Sequence, residues 1–389
     1  VALAVEVADE LADGAKSAAL PLIRHDLGLS YGQIGLLAAV PLLVGGLAEL
    51  PLGVLAGQGR GRRRAVLGGG VIFVVTLAGV AAARSFAALL AAFIAFYPAS
   101  GAFVSLTQAE LMDAQPTRQA QGMARWELAG ATGAVAGPLL VMAVLTSGGD
   151  WRDAYLVLAG VAAAAWLGSC LRGPVGMTAA ATQVAYEERG TEAGGDGWMA
   201  RAREVTAAAR NGGVLRWLVL LQVADLLVDV FSGFLGLYLV DVAHLSPGVA
   251  ALGIAIRLGA ALAGDAVLVW VLERAEDRTV LRVSAVAAAL LYPGFLLVPG
   301  VVAKLVMLAG LSAATASWYP LLQARLYESL PGRSSVAVTL SSAAGMTGGL
   351  GPLAVGLIAE ALGLTWALAG LVIVPVAILL ASMGAGPSE

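Results

Sequence analysis

Two acidic pairs stand 216 residues apart in otherwise apolar sequence. Val7-Ala8-Asp9 with Asp13 recurs as Val223-Ala224-Asp225 with Asp229. A spacing of four puts both carboxylates of a pair on one helical face. Glu6, Asp9, Asp13 and Lys16 extend the first face in steps of three, four and three. Gln222, Asp225 and Asp229 form the second. Glu10 lies beside the first face. Glu49 and Asp265 repeat at the same offset, and Arg257 is the other base inside an apolar stretch. Eight acids against two bases cannot all be ionised and unpaired away from water. Each must hold a proton, find a cation or line a wet space. Carboxylates that load and release a proton near neutral pH are what a proton-coupled carrier needs, and an acidic cavity also attracts cations. Asp13, Asp229, Asp9 and Asp225, with Lys16 and Arg257, are therefore the candidate proton-coupling and substrate residues. The competing reading is structural: Asp13 with Lys16, and Asp229 with Arg257, as ion pairs that hold helices together.

The elements that position these groups follow from composition. The 389 residues are 59% hydrophobic and 13% charged, with mean hydropathy +0.86. That is too little polar surface for a water-soluble domain and fits a polytopic membrane protein. Fifty glycines suit close helix packing in lipid. A spanning helix needs ~20 apolar residues. Twelve stretches qualify: 2–22, 32–56, 65–83, 86–110, 122–146 and 153–171, then 215–240, 247–272, 280–298, 302–324, 335–360 and 364–384. The expected fold is an all-α membrane protein with twelve transmembrane helices in two pseudo-symmetric six-helix bundles. The bundles are 1–171 and 215–389. Residues 172–214 form a polar linker, in which Trp198–Asn211 reads as a short amphipathic helix. With the N-terminus cytoplasmic, seventeen arginines fall on the inner side. Only Arg24, Arg84, Arg152 and Lys304 fall outside, so loop charge places both termini in the cytoplasm. Lysine is rare among the basic residues, and alanine and glycine abound. That bias points to a GC-rich bacterial genome, hence a bacterial inner membrane.

The repeat runs beyond the carboxylates. Gln108-Ala109 matches Gln323-Ala324, Pro116 and Arg118 match Pro331 and Arg333, and Trp151 matches Trp366. Gly137-Pro138 in the fifth stretch matches Gly351-Pro352 in the eleventh. The order never breaks and the offset drifts by only two. Shared Ala/Gly/Leu composition would not reproduce carboxylates and Gly-Pro pairs in order.

Six plus six helices, a central linker and parallel halves resemble the major facilitator superfamily across essentially the whole chain. That resemblance implies two bundles around a central cavity, related by a pseudo-two-fold along the membrane normal. Gly53-Val54-Leu55-Ala56 before Arg60-Gly61-Arg62-Arg63-Arg64 is similar to the family's basic loop between helices 2 and 3. Gly57 stands where that motif has an acid. Gly133-Ala134-Val135-Ala136-Gly137-Pro138 resembles the helix 5 motif of antiporters in the family. Gly133, Gly137, Pro138, Gly351 and Pro352 are thus conformational-motif candidates. Asp13 followed by Leu20-Pro21 is similar to a helix 1 motif of drug–proton antiporters, one residue short.

Further positions read as gates or packing. Glu49, Asp265, Arg125, Gln108 and Gln323 lie toward cytoplasmic helix ends and suit gate contacts. Glu6 and Glu10 read as wet residues at the cytoplasmic mouth. Tyr97-Pro98 and Tyr319-Pro320 mark bends. Trp318 and Phe231 are aromatic walls or core. His25 and His244 are isolated, and no His/Cys cluster suggests a metal. No phosphate-binding Gly-Lys-Ser/Thr loop occurs, no nucleophile–base pair argues for an enzyme, and the arginines track a membrane face, not a nucleic acid. The expected protein is a monomeric secondary transporter without cofactor, embedded in the lipid bilayer. It exchanges protons for a small organic, cation-leaning molecule by alternating access. A symporter or amphiphile translocase on the same fold is the alternative, with a non-transporting receptor more distant.

Overall fold

The computed structural model describes residues 1–55, 60–113, 119–171, 203, 205–330 and 348–383, with isolated positions between 336 and 345; side chains at 48–55, 60, 113, 119 and 120 are excluded. The described residues form twelve principal helices. They are α1 Ala2–Leu27, α2 Tyr31–Leu55, α3 Arg60–Ala82, α4 Phe86–Met112, α5 Gln119–Thr146 and α6 Trp151–Leu171. They continue with α7 Gly212–Val242, α8 Pro247–Leu272, α9 Asp277–Leu297, α10 Val301–Glu328, α11 Gly351–Leu362 and α12 Leu364–Met383. Among the described residues nine helices are long and apolar enough to cross a membrane, and two shorter apolar ones accompany them. Most of the linker lies outside the described residues, including 198–202 and 204 of the expected amphipathic helix, whose residues 205–209 are helical; Pro116, Arg118, Pro331, Arg333 and Gly57 also lie outside them.

Local sequence sets the helix ends and breaks. Gly28 ends α1 in the left-handed conformation (φ 62°), which costs glycine least. Ser85 caps α4 by accepting from Ala88 N–H. Pro98 sits inside α4, and a π-helical turn, Gly101–Ser105, follows it. A ring nitrogen cannot donate into the ladder, so the surrounding carbonyls find other geometry. α7 is interrupted twice, by π turns at Leu226–Val230 and Tyr238–Val242. In one respect the repeat is not carried into structure. Pro138 lies inside α5, whereas Gly351-Pro352 opens α11 after a turn at 349–350. Proline is suited to a first helical turn, where its missing N–H has no intrahelical role.

Contact density divides the chain into two compact units: Val1–Thr191 with Leu239–Ala255, and Glu192–Tyr238 with Ile256–Glu389. In the first unit α1 lies against α5 at backbone distance. A Cβ built on Gly133 would stand 2.6 Å from Val7 O, and one on Gly137 2.9 Å from Gly14 C and closer still to Leu11 O. The Gly-x-x-x-Gly-Pro stretch is therefore the seat of α1, as small-residue seams are in membranes. α3 packs on α4 through Phe73, whose ring centre lies 4.9 Å from that of Phe96. It is tied to α6 by Trp166 Nε1 donating to Leu67 O at 3.0 Å.

The second unit has an aromatic core. Phe231 meets Tyr292 and Phe295 edge-on at 5.4 and 5.7 Å, a favourable arrangement of ring quadrupoles. Tyr292 OH donates to Leu368 O at 2.7 Å, and Trp318 Nε1 to Ser284 Oγ at 3.0 Å. Trp318 and Phe231 are thus core residues, and of the two sequence readings packing holds. Lys304, assigned by sequence to an outer loop, is buried inside α10. Its ammonium donates to Phe295 O (2.6 Å) and Tyr238 OH (3.1 Å). It caps the last turn of α9, where a cation meets unsatisfied carbonyls.

Candidate functional site

The acidic face of α1 is divided among its neighbours within the first unit. Glu6 is only 8% exposed. Its Oε1 occupies the space a side chain on Gly130 would fill, 2.6 Å from a built Cβ. Glu10 is half-buried, with its Cβ against Gly133. The reading of Glu6 as a wet mouth residue is corrected: a glycine-rich α5 makes room for it in the seam. Asp9 Oδ1 accepts from Ser100 Oγ on α4 at 2.8 Å. Lys16 Nζ donates to Asp13 Oδ1 at 2.6 Å and to Tyr97 OH at 3.0 Å. Asp13 itself keeps 58% of its side chain exposed against 25% for Lys16. An ammonium held from behind by a phenol therefore clamps one oxygen of a carboxylate that faces open space. Tyr155 on α6 lies within electrostatic reach of Lys16, Asp13 and Tyr97, and its buried hydroxyl has no hydrogen-bond partner.

The second unit repeats residue types but not contacts. Gln222 Nε2 donates to Asp225 Oδ2 at 3.3 Å, while its Oε1 is buried without a partner. Asp229 is exposed in the π turn Leu226–Val230. Arg257 lies within electrostatic reach of Asp229 but gives a donor to the main-chain carbonyl of Val228. Tyr319 on α10, 52% exposed, is close enough to Asp225 and Asp229 to feel both. Asp265 is exposed on α8. The side chain of Glu49 lies outside the described residues. Among the remaining gate candidates, Arg125 is exposed at the start of α5. Gln108 Nε2 reaches Met123 Sδ at 3.6 Å, and Gln323 Nε2 reaches Ser341 Oγ at 3.4 Å. No group of three or more metal-ligand side chains occurs among the described residues.

Sequence reasoning missed one polar cluster altogether. Asp241, at the C-terminal tip of α7, accepts from Arg24 Nη1 at 3.0 Å and from Tyr31 OH at 2.9 Å. The Arg24 guanidinium also lies 4.1 Å over the Tyr31 ring. All three belong to the first unit. No periodicity links them, because they sit at the ends of three helices. Only its place as a third carboxylate in α7, after Asp225 and Asp229, could have drawn attention to Asp241.

The helical membrane fold agrees with a comparison against protein-family models. The Major Facilitator Superfamily model matches residues 10–335. The chain belongs to the Major Facilitator Superfamily. Solved structures of this superfamily's fold align over nearly its full length. A bacterial homolog to the human lysosomal transporter Spinster, inward-facing and occupied, gives a TM-score of 0.77 at 14% identity, covering 98% of this chain and 95% of that one. The nucleoside transporter NupG gives 0.76 at 14%, covering 98% and 97%. A D-xylose–proton symporter gives 0.71 at 14%, covering 98% and 95%. At such identity the likeness is one of fold. No curated protein sequence matches the chain.

Proposed function

We propose that this Major Facilitator Superfamily member is a secondary active transporter that exports a small organic molecule, most readily a cation, in exchange for protons by alternating access. The observation that carries the reading is Asp13. Halfway along an apolar helix, its carboxylate is exposed while Lys16 holds only one of its oxygens. Exposure there requires water or substrate, because lipid penalises a charge. Protonating Asp13 weakens its hold on Lys16 and removes the negative charge that would attract a cation. Proton and cation then compete for one group, which is the logic of exchange. Asp229 with Asp225 is the corresponding pair of the second half. The membrane potential contributes ~2.3 kcal/mol per 100 mV for each net charge moved, so one-for-one exchange of a proton for a monovalent cation draws on the pH gradient alone.

Gly133, Gly137 and Pro138 set the α1–α5 seam on which the acidic face rides. Glu49, Asp265, Arg125, Gln108 and Gln323 act at the cytoplasmic gate, and the Arg24–Asp241–Tyr31 cluster at the opposite end. The halves are organised as residues 1–171 and 215–389 about a linker. The protein works as a monomer in a bacterial inner membrane with both termini inside. Symport is the second reading, favoured by the proton symporter among the structural relatives.

The test is proton movement in proteoliposomes that contain a pH-sensitive dye, with organic cations added under an imposed pH gradient. Substrate-evoked flux that is lost in Asp13→Asn or Asp229→Asn is the expected result. Flux of labelled substrate without proton movement, equal in parent and variants, overturns the coupling role.

A further inference from the structure

We infer that Arg257 is a positioning residue. With Ser232 it holds the main-chain carbonyl of Val228 and so maintains the widened turn of α7 that presents Asp229. Within Leu226–Val230 the ladder runs over five residues, and Phe231 N–H closes it by donating to Leu226 O. A π turn amounts to one extra residue in the helix, which offsets everything beyond it by ~100° from the α register. It also strains the ladder, and carbonyls in it need other donors. Val228 O has two. Ser232 Oγ bonds back from one turn ahead, a contact that bends helices. Arg257 reaches in from α8, and a charged donor makes the stronger bond.

The next residue after that carbonyl is Asp229. It is exposed while Leu227, Val230 and Phe231 on either side are 3%, 4% and 1% exposed. The widened turn thus selects which side chain of this stretch leaves the core. An ion-pair reading has Arg257 act on the Asp229 carboxylate. Its bond to Val228 O lets it act on the backbone as well, and the two roles separate once the carboxylate is removed. The functional weight of this inference rests on the role proposed above for Asp229, but its test does not use transport.

The experiment labels the full chain, in a Cys170→Ser background, with a small water-soluble methanethiosulfonate. Asp229→Cys, and Val230→Cys in an Asp229→Asn background, are compared in the parent and in Arg257→Met, Ser232→Ala and Arg257→Lys. The Asp229→Cys thiol should react at least about tenfold faster than the Val230→Cys thiol, because access governs thiol reactivity. Arg257→Met with Ser232→Ala should bring the ratio toward one, even though no carboxylate remains at 229. Arg257→Lys, which can still donate to Val228 O, should restore it. If the double variant does not elute as a single species, Arg257→Met alone supplies the comparison. An unchanged ratio in a monodisperse variant overturns the proposal. A carrier whose flux ignores Asp229→Asn would instead remove the coupling role and leave this ratio intact.

Discussion

Replacing Gly137 by alanine places a methyl group inside the backbone of α1. The new Cβ would stand 2.9 Å from Gly14 C and closer to Leu11 O, all main-chain atoms that no rotamer change can move. Ordinary carbon contacts begin near ~3.5 Å, so the two helices must separate by roughly half an ångström or more. Overpacking of this kind costs ~1–3 kcal/mol, and rigid neighbours favour the upper end. Separation along the seam also loosens Gly133 over Val7 and Gly130 over Glu6, adding lost dispersion contacts. A loss of about 3 kcal/mol is a more than hundredfold shift in the unfolding equilibrium. The assay is unfolding of the detergent-solubilised protein, followed by tryptophan fluorescence against denaturant. Gly160→Ala on α6 is the control, because a Cβ there meets nothing within 4 Å. It should be neutral or gain about 0.5–1 kcal/mol from helix propensity. A Gly137→Ala protein as stable as its parent, or a control that falls equally far, would refute close approach as the purpose of the glycine.

Other consequences can be checked in the same assay. Asp241→Asn and Arg24→Gln should each destabilise, and their double-mutant cycle should return a coupling of ~1–3 kcal/mol, as expected for a half-buried charged hydrogen bond; zero coupling would dissolve the cluster. Lys304→Met leaves Phe295 O and Tyr238 OH without their ammonium and should cost ~1–3 kcal/mol. A neutral result there would show that the cap contributes nothing. Tyr155→Phe removes a buried hydroxyl that has no partner, so stability should hold or rise by up to ~1 kcal/mol. A clear loss would mean that water bridges Tyr155 to the Lys16 cluster. Trp318→Phe gives up the bond to Ser284 and should lose about 1 kcal/mol or more; no change would argue that this bond is not formed.

The twelve apolar stretches and the paired carboxylates were legible because both follow from local rules. Lipid requires about twenty apolar residues per span, and helical periodicity puts Glu6, Asp9, Asp13 and Lys16 on one side. The basic and acidic inventory likewise follows from residue type alone. What the acids touch does not. Glu6 looks like a mouth residue in sequence, yet Gly130 leaves space for it in the seam, and only packing against α5 reveals it. The Gly-Pro pairs match in sequence and diverge in structure, since one lies within α5 and the other opens α11. The Arg24–Tyr31–Asp241 cluster joins residues more than two hundred positions apart, beyond the reach of any periodic signal.

Sequence by itself determined that this chain is a helical membrane protein of duplicated halves with ionisable groups inside its spans, because hydropathy and spacing are properties of the chain alone. Tertiary structure decided which of those groups are partnered. Lys16 holds Asp13 and leans on Tyr97, and Ser100 holds Asp9. Arg257 spends a donor on a carbonyl in a turn that no propensity marks. The physical reason is that the state of a buried charge depends on the few atoms within a hydrogen bond's length, and those atoms come from helices that only folding brings together.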